Sequence, residues 1–166
     1  MRLAEGSGFD SVVFNGGFEN TELSDASGFG WQVTKDLSGF AVYLDDSTPN
    51  SGSRDLRLHF SGSTAQGDLV SQRVLVQPGI KYRLTFVQRS PELLSGGLPA
   101  VTVETDKGVL RSSDLKGTGN SWKLVTLDFT ASSRAVKIAL QRSSCKQSPC
   151  PIFGELYLDD FGIKPL

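Results

Sequence analysis

"VQPGIKYRLTF", Val76 to Phe86, holds the pattern that decides the fold. Tyr82, Leu84 and Phe86 alternate with Arg83 and Thr85. Successive side chains of an extended strand point to opposite faces, so this run has one apolar face and one wet face. Ahead of it stand Pro78 and Gly79, a turn pair, and before them a second apolar run over residues 69–76. The spacing predicts two long strands joined as a hairpin through the Pro-Gly turn.

The same period of two recurs along the chain. Leu56, Leu58 and Phe60 oppose Arg57 and His59, and the period returns in Val125, Leu127 and Phe129 and in Val136, Ile138 and Leu140. Strand signals repeat about every ten residues between Gly, Pro, Asn, Asp and Ser, the arrangement of sandwiches and barrels. They predict strands over residues 11–15, 31–34, 40–44, 55–60, 69–76, 81–90, 100–105, 109–112, 122–130, 135–141 and 155–163. Only residues 90–97, "SPELLSGG", could hold a turn of helix. Two sheets packed through their apolar faces satisfy every alternating run, giving an all-β sandwich.

Composition agrees. The chain of 166 residues has 18 glycines and one methionine, which suits turn-rich β structure, and its length suits one core. Residues 1–10 are expected to be a disordered leader or remnant segment ahead of a single sandwich over residues 11–166. The formal charge of −1, with acids and bases mixed, gives no field for nucleic acid. No apolar run approaches a membrane span, so no membrane insertion is expected, and "MRLAEGSGFD" lacks the apolar middle of a secretory signal. The chain is either cytoplasmic or a piece of something longer.

Cys145 and Cys150, in "SSCKQSPCP" between prolines, suit a short disulfide loop, with two unpaired thiols as the alternative. A zinc site would need four ligands, and His59 is the only histidine. A disulfide favours an exported parent, in extracellular, periplasmic or cell-envelope space.

Some polar residues continue the core parity: Gln72, Gln88, Arg142 and Asp160. Strand-end positions bonding to loop carbonyls would account for the first three. In "YLDDFGI", Asp159 and Asp160 point to opposite faces, with Asp160 on the Leu158 side, inward. Glu19 follows Gly16-Gly17 at the end of the first predicted strand, and first and last strands are often neighbours. Two carboxylates meeting at one edge repel unless a cation lies between them. Calcium, which takes six to eight oxygens, suits Glu19, Asp160 and nearby glycine-rich turns; pairing of each acid with an arginine or a backbone N–H is the alternative.

The ordered set "NGGFE" (residues 15–19), "GFGW" (28–31), "NSGSRDLRLHF" (50–60), "VSQRVLVQPGIKYRLTF" (70–86), "SWKLVTLDFTA" (121–131) and "LYLDDFGI" (156–163) resembles carbohydrate-binding modules of the family 4 and family 9 related type. The resemblance covers about Val12 to Ile163. It implies a galactose-binding-like jelly-roll β-sandwich of two antiparallel sheets, a structural calcium held partly by Glu19 and Asp160, a core role for Trp31, and a noncatalytic, monomeric domain of a larger protein that binds polysaccharide. Family members bind glycans in a groove across the concave sheet or at loops on one edge.

The outward-parity residues Arg57, His59, Arg73, Arg83, Arg89, Glu104 and Gln141 are polar and often cationic, and the aromatics open to a sugar ring reduce to Tyr43, Trp122 and Tyr157. A glycan site is therefore expected at Tyr43, for stacking, with Arg57, His59, Arg89 and Gln141 bonding hydroxyls, or the carboxylates of an acidic polysaccharide. A structural or protein-interaction domain that kept the sandwich and lost the groove is the rival reading. No enzyme is expected: His59 has no nucleophile in pattern, "GNSW" and "GSGF" lack a strand-to-helix elbow, and Asp45-Asp46 reads as a solvated turn rather than as half of a hydrolase pair.

Overall fold

The computed structural model describes residues 11–23, 29–142 and 145–166. The leader expected over residues 1–10 lies outside them, as does Gly28 of the "GFGW" stretch. Among the described residues there is no helix, so none is long and apolar enough to cross a membrane.

Among the described residues eleven strands follow in order: β1 (Gln32–Val33), β2 (Phe40–Asp45), β3 (Asp55–Ser63), β4 (Gly67–Leu75), β5 (Lys81–Arg89), β6 (Leu93–Ser95), β7 (Pro99–Thr105), β8 (Gly108–Arg111), β9 (Lys123–Thr130), β10 (Ala135–Arg142) and β11 (Ile152–Pro165). They build two antiparallel sheets, one ordered β1-β4-β10-β7-β8, the other β2-β3-β11-β5-β9 with β6 also on β11. The architecture is a jelly-roll sandwich. The alternating sets meet between the layers: Leu56, Leu58, Phe60, Tyr82, Leu84 and Phe86 come from one sheet, Val74, Val136, Ile138 and Leu140 from the other, and all are buried.

Three expectations change. The Pro-Gly segment is not a hairpin. β4 bonds to β1 and β10, and β5 to β11 and β9, so residues 76–80 carry the chain from one sheet to the other. The physical reason is that both runs are amphipathic toward the same core, and they meet it from opposite sides. Residues 11–15 are not a strand: a turn over residues 14–17 closes with the Phe18 N–H on the Asn15 carbonyl, 3.0 Å, and Asn15 and Phe18 take positive φ. The Gln72 amide clasps this turn from the sheet, accepting from the Phe14 N–H at 2.6 Å and donating to the Phe14 carbonyl at 2.9 Å. Residues 90–97 hold β6 instead of a helical turn.

Arg142 is 1% exposed and sits where strand ends converge. It donates to the carbonyls of Ser63, Ala65, Gly97 and Cys150 and to Ser95 Oγ, at 3.0–3.2 Å. Burial lowers its guanidinium pKa, and the ring of carbonyl dipoles takes the place of water around the charge. Beside it Cys145 and Cys150 form the expected disulfide. Gln88, by contrast, keeps a buried Oε1 without a partner.

Arg142→Met removes those donors and leaves several buried acceptors unpaired. A destabilisation of about 3–5 kcal/mol is expected in urea unfolding. A loss under about 1 kcal/mol would mean that water fills the gap.

Candidate functional site on the six-stranded sheet

Register places four side chains in one row across the outer face of the six-stranded sheet. Tyr43 on β2 lies opposite Arg57 on β3, Arg57 opposite Tyr157 on β11, and Tyr157 opposite Arg89 on β5. The row alternates rings and guanidinium groups. Arg57 stands 5.4 Å from the Tyr43 ring centre, while Arg89 lies 4.0 Å over Tyr157 and 5.4 Å from Trp122, which directly precedes β9. Such cation–π contacts order both partners.

The next row joins His59 to Glu155. Arg57 reaches the Glu155 carboxylate with two bonds, 2.9 and 3.1 Å, and His59 Nδ1 lies 2.5 Å from Glu155 Oε1. Burial alone would raise the Glu155 pKa, but the Arg57 and His59 bonds outweigh it and hold the carboxyl below its ordinary range. Further along β11, Phe153 is 49% exposed, as is Tyr43, and Phe153 faces the exposed Leu94 on β6. Glu155 and Phe153 were missed in the sequence, although both share the outward parity of Tyr157.

Four of the five residues expected to bind glycan share this face. Gln141 does not: it belongs to β10 in the other sheet, where its amide donates to Asp68 at 2.9 Å beside the Lys137–Asp68 and Lys137–Glu104 ion pairs. Alternation separates inward from outward but does not say which sheet a strand joins. The cations of the six-stranded face are also less open than the sequence suggests. Arg57 is held by Glu155, Arg83 by Asp128, and Arg89, only 8% exposed, donates to Thr48 Oγ1 at 2.7 Å.

Glu19 and Asp160 do meet at one rim, at the loop of residues 50–54. Glu19 Oε1 and Oε2 accept the Ser53 N–H at 2.9 and 3.0 Å, and Oε1 also accepts the Arg54 N–H. Asp160 accepts Asn50 Nδ2 and Ser51 Oγ. A Cβ added at Gly17 would stand 3.9 Å from both Asp160 Oδ1 and Glu19 Cγ, so the acids flank one glycine. Arg54 turns its guanidinium to the Glu19 carbonyl and not to the carboxylate. The inward orientation expected for Asp160 is reversed. A bulge lies between Asp159 and Gly162 with Asp160 at φ 55°, so Asp159 is buried and Asp160 half-buried. Burial pushes the Asp159 carboxyl up to about 6 against the Ser51 and Asn50 N–H bonds. Among the described residues no group of three or more His, Cys, Asp or Glu could hold a metal ion.

Solved structures share this architecture. A family 61 carbohydrate-binding module in complex with β-1,4-galactotriose aligns with a TM-score of 0.64 at 19% identity, over 92% of this chain and 96% of that one. A family 4 module aligns at 0.61 and 14% identity, covering 93% and 99%. A family 22 xylan-binding domain from Paenibacillus barcinonensis gives 0.53 at 15% identity, covering 93% and 92%. No family model matches the chain, and no curated protein matches it in sequence. The likeness establishes the jelly-roll fold of carbohydrate-binding modules for this chain.

Gly52 fixes the rim, because its φ is +63° and an added Cβ would stand within clashing distance of Glu19 Oε1. Gly79 also has positive φ, +85°, but nothing within 4 Å. Gly52→Ala is therefore expected to cost clearly more in urea unfolding than Gly79→Ala, which bears only the left-handed penalty of about 1–2 kcal/mol. Equal costs would show that the Glu19 carboxylate gives way without losing its bonds to Ser53 and Arg54.

Proposed function

We propose that the chain is a noncatalytic polysaccharide-binding module whose ligand lies on the outer face of the six-stranded sheet. One observation carries the choice of face. The five strands of the other sheet contain no aromatic residue, whereas this face offers Tyr43, Tyr157 and Phe153 on its strands, with Trp122 beside them. Sugar rings bind by stacking on aromatic faces, with hydrogen bonds to their hydroxyls from polar neighbours. Tyr43, the most exposed ring of the central row, would stack on a sugar. Arg57, His59 and Glu155 would bond hydroxyls, and Arg89 would hold Tyr157 and Trp122 in place.

The ligand we infer is neutral. An acidic glycan needs guanidinium groups able to meet its carboxylates, but those of Arg57 and Arg83 already meet Glu155 and Asp128, and that of Arg89 is buried against Tyr157 and Thr48. A larger exported parent protein, with this chain as a monomeric domain, is part of the same proposal, and the Cys145–Cys150 disulfide supports it.

In calorimetric titration against soluble neutral polysaccharides, Tyr43→Ala is expected to weaken binding at least about tenfold, the order of one lost aromatic contact. Gln141→Ala, on the opposite sheet, is expected to leave it unchanged. If the wild-type chain binds neither neutral nor acidic glycans and instead retains a protein, the rival reading of an interaction domain takes its place.

Calcium at Glu19 and Asp160 is the companion proposal. The residues fit the ion to this extent: two carboxylates share a rim, their partners there are neutral N–H, amide and hydroxyl groups, and a carboxylate has acceptor capacity beyond the bonds they make. The ion would clamp the residue 15–19 segment and the residue 50–54 loop to β11. Calcium in hundredfold excess over its dissociation constant is expected to add about 2.7 kcal/mol, raising the melting temperature, with chelator reversing the rise and Asp160→Ala abolishing it. A melting temperature indifferent to calcium would leave Glu19 and Asp160 as ordinary hydrogen-bonded acids.

A further inference from the structure

Asp55 begins β3 on the outward parity, directly opposite Asp45 on β2. Like charges facing each other across two strands repel. Yet Asp55 is 0% exposed, and no donor meets either of its carboxyl oxygens. The group it faces across the strands is the carboxylate of Asp45, itself accepting from Ser47 Oγ at 2.7 Å. Two carboxyl groups can bond only if one keeps its proton. Arg89, whose guanidinium stacks on Tyr157 and bonds Thr48, also carries a buried Nε with no partner. An unpartnered acid and an unpartnered donor thus sit in one buried region.

We propose that Asp55 is protonated and donates to Asp45, and that loss of this proton draws the Arg89 guanidinium off Tyr157 and onto Asp55, giving the outer face of the six-stranded sheet two arrangements. On deprotonation the Asp55 O–H proton leaves to solvent, and the carboxylate left behind is buried with nothing to accept from. Ionised pairs form the stronger hydrogen bonds, and a buried charge without a partner is costly, so the idle Arg89 Nε, whose charge already acts on Asp55, becomes a remedy. Making that bond competes with Thr48 and with the ring stack. Stacked and withdrawn guanidinium are therefore alternatives.

The charges acting on Asp55 are Asp45 on β2 and Asp159 on β11, the strands on either side, and Arg89 on β5, one strand further. From the loop above, residues 48–53 contribute no ionisable side chain, Asp46 is exposed, and Arg54 is turned to Glu19. Burial first, then Asp45 and Asp159, push the Asp55 carboxyl up to about 7, with Arg89 pulling against them. Because the folded chain holds a proton that the unfolded chain has released, the stability contributed by neutral Asp55 is full below 3.8 and is lost as pH rises toward about 7. The switch belongs to the chain itself and needs no ligand, so it stands or falls apart from glycan binding.

Nuclear magnetic resonance of the whole chain tests it, following the Asp55 carboxyl carbon and the Arg89 Nε–H from about pH 3 to about pH 9. Asp55 is expected to titrate near neutrality and the Arg89 resonance to move with the same midpoint. Asp55→Asn is expected to hold Arg89 over Tyr157 throughout. Asp45→Asn, which tests the proposal even if the first variant does not fold, is expected to lower the Asp55 midpoint. Titration of Asp55 in the ordinary carboxylate range, or an Arg89 resonance unmoved while Asp55 titrates, would overturn the proposal.

Discussion

The bulge in β11 at Asp159–Gly162 is the constraint on which both the rim and the core depend. β11 is bonded on both sides, to β3 through Leu158 and to β5 as far as Pro165, so it cannot slide to accommodate an error. Strict alternation from Leu158 would send Asp160 inward and Phe161 outward. The extra residue reverses this. Phe161 enters the core, 4.7 Å from the Phe86 ring centre and 5.0 Å from Trp31, and its N–H bonds the Gly16 carbonyl at 2.9 Å. Asp159 then receives the N–H groups of Asn50 and Ser51, and Asp160 their side chains. One left-handed residue thereby ties the segment of residues 14–18, the loop of residues 50–54 and the last strand into one edge.

Much of this was legible in the sequence because burial imposes a period. Leu56, Leu58 and Phe60 or Val136, Ile138 and Leu140 declare both that a strand exists and which face is apolar. They do not declare which sheet the strand joins, since both sheets present apolar faces to one core. That ambiguity explains two misreadings of one kind: β4 and β5 taken as a hairpin, and Gln141 grouped with Tyr43 and Arg57. The bulge was illegible for another reason. Nothing in "LYLDDFGI" marks Asp160 as left-handed, a conformation that aspartate tolerates better than most residues. Glu155 and Phe153 carried a usable signal, their shared parity with Tyr157, and only register showed that Glu155 binds Arg57 and His59.

The outer face of the six-stranded sheet combines features that suit the neutral-sugar ligand we propose. Its rings are held by guanidinium groups; Arg57 is matched by Glu155 and Arg83 by Asp128, while Arg89 is buried against Tyr157 and Thr48. Matched charges present directional hydrogen bonds without a strong field, which suits hydroxyl groups better than carboxylates. The other sheet is matched too, through Lys137, Asp68 and Glu104, but has no ring for stacking. The fold shared with carbohydrate-binding modules supplies the scaffold, and the row of Tyr43, Arg57, Tyr157 and Arg89 distinguishes one face of it.

Chemical-shift mapping of backbone and side-chain resonances during titration with a soluble neutral polysaccharide tests the choice of face most directly. Perturbations are expected to centre on Tyr43, Arg57, Glu155 and Tyr157, with β4 and β10 silent. Perturbations centred on Arg73, Lys137 and Gln141 would contradict it.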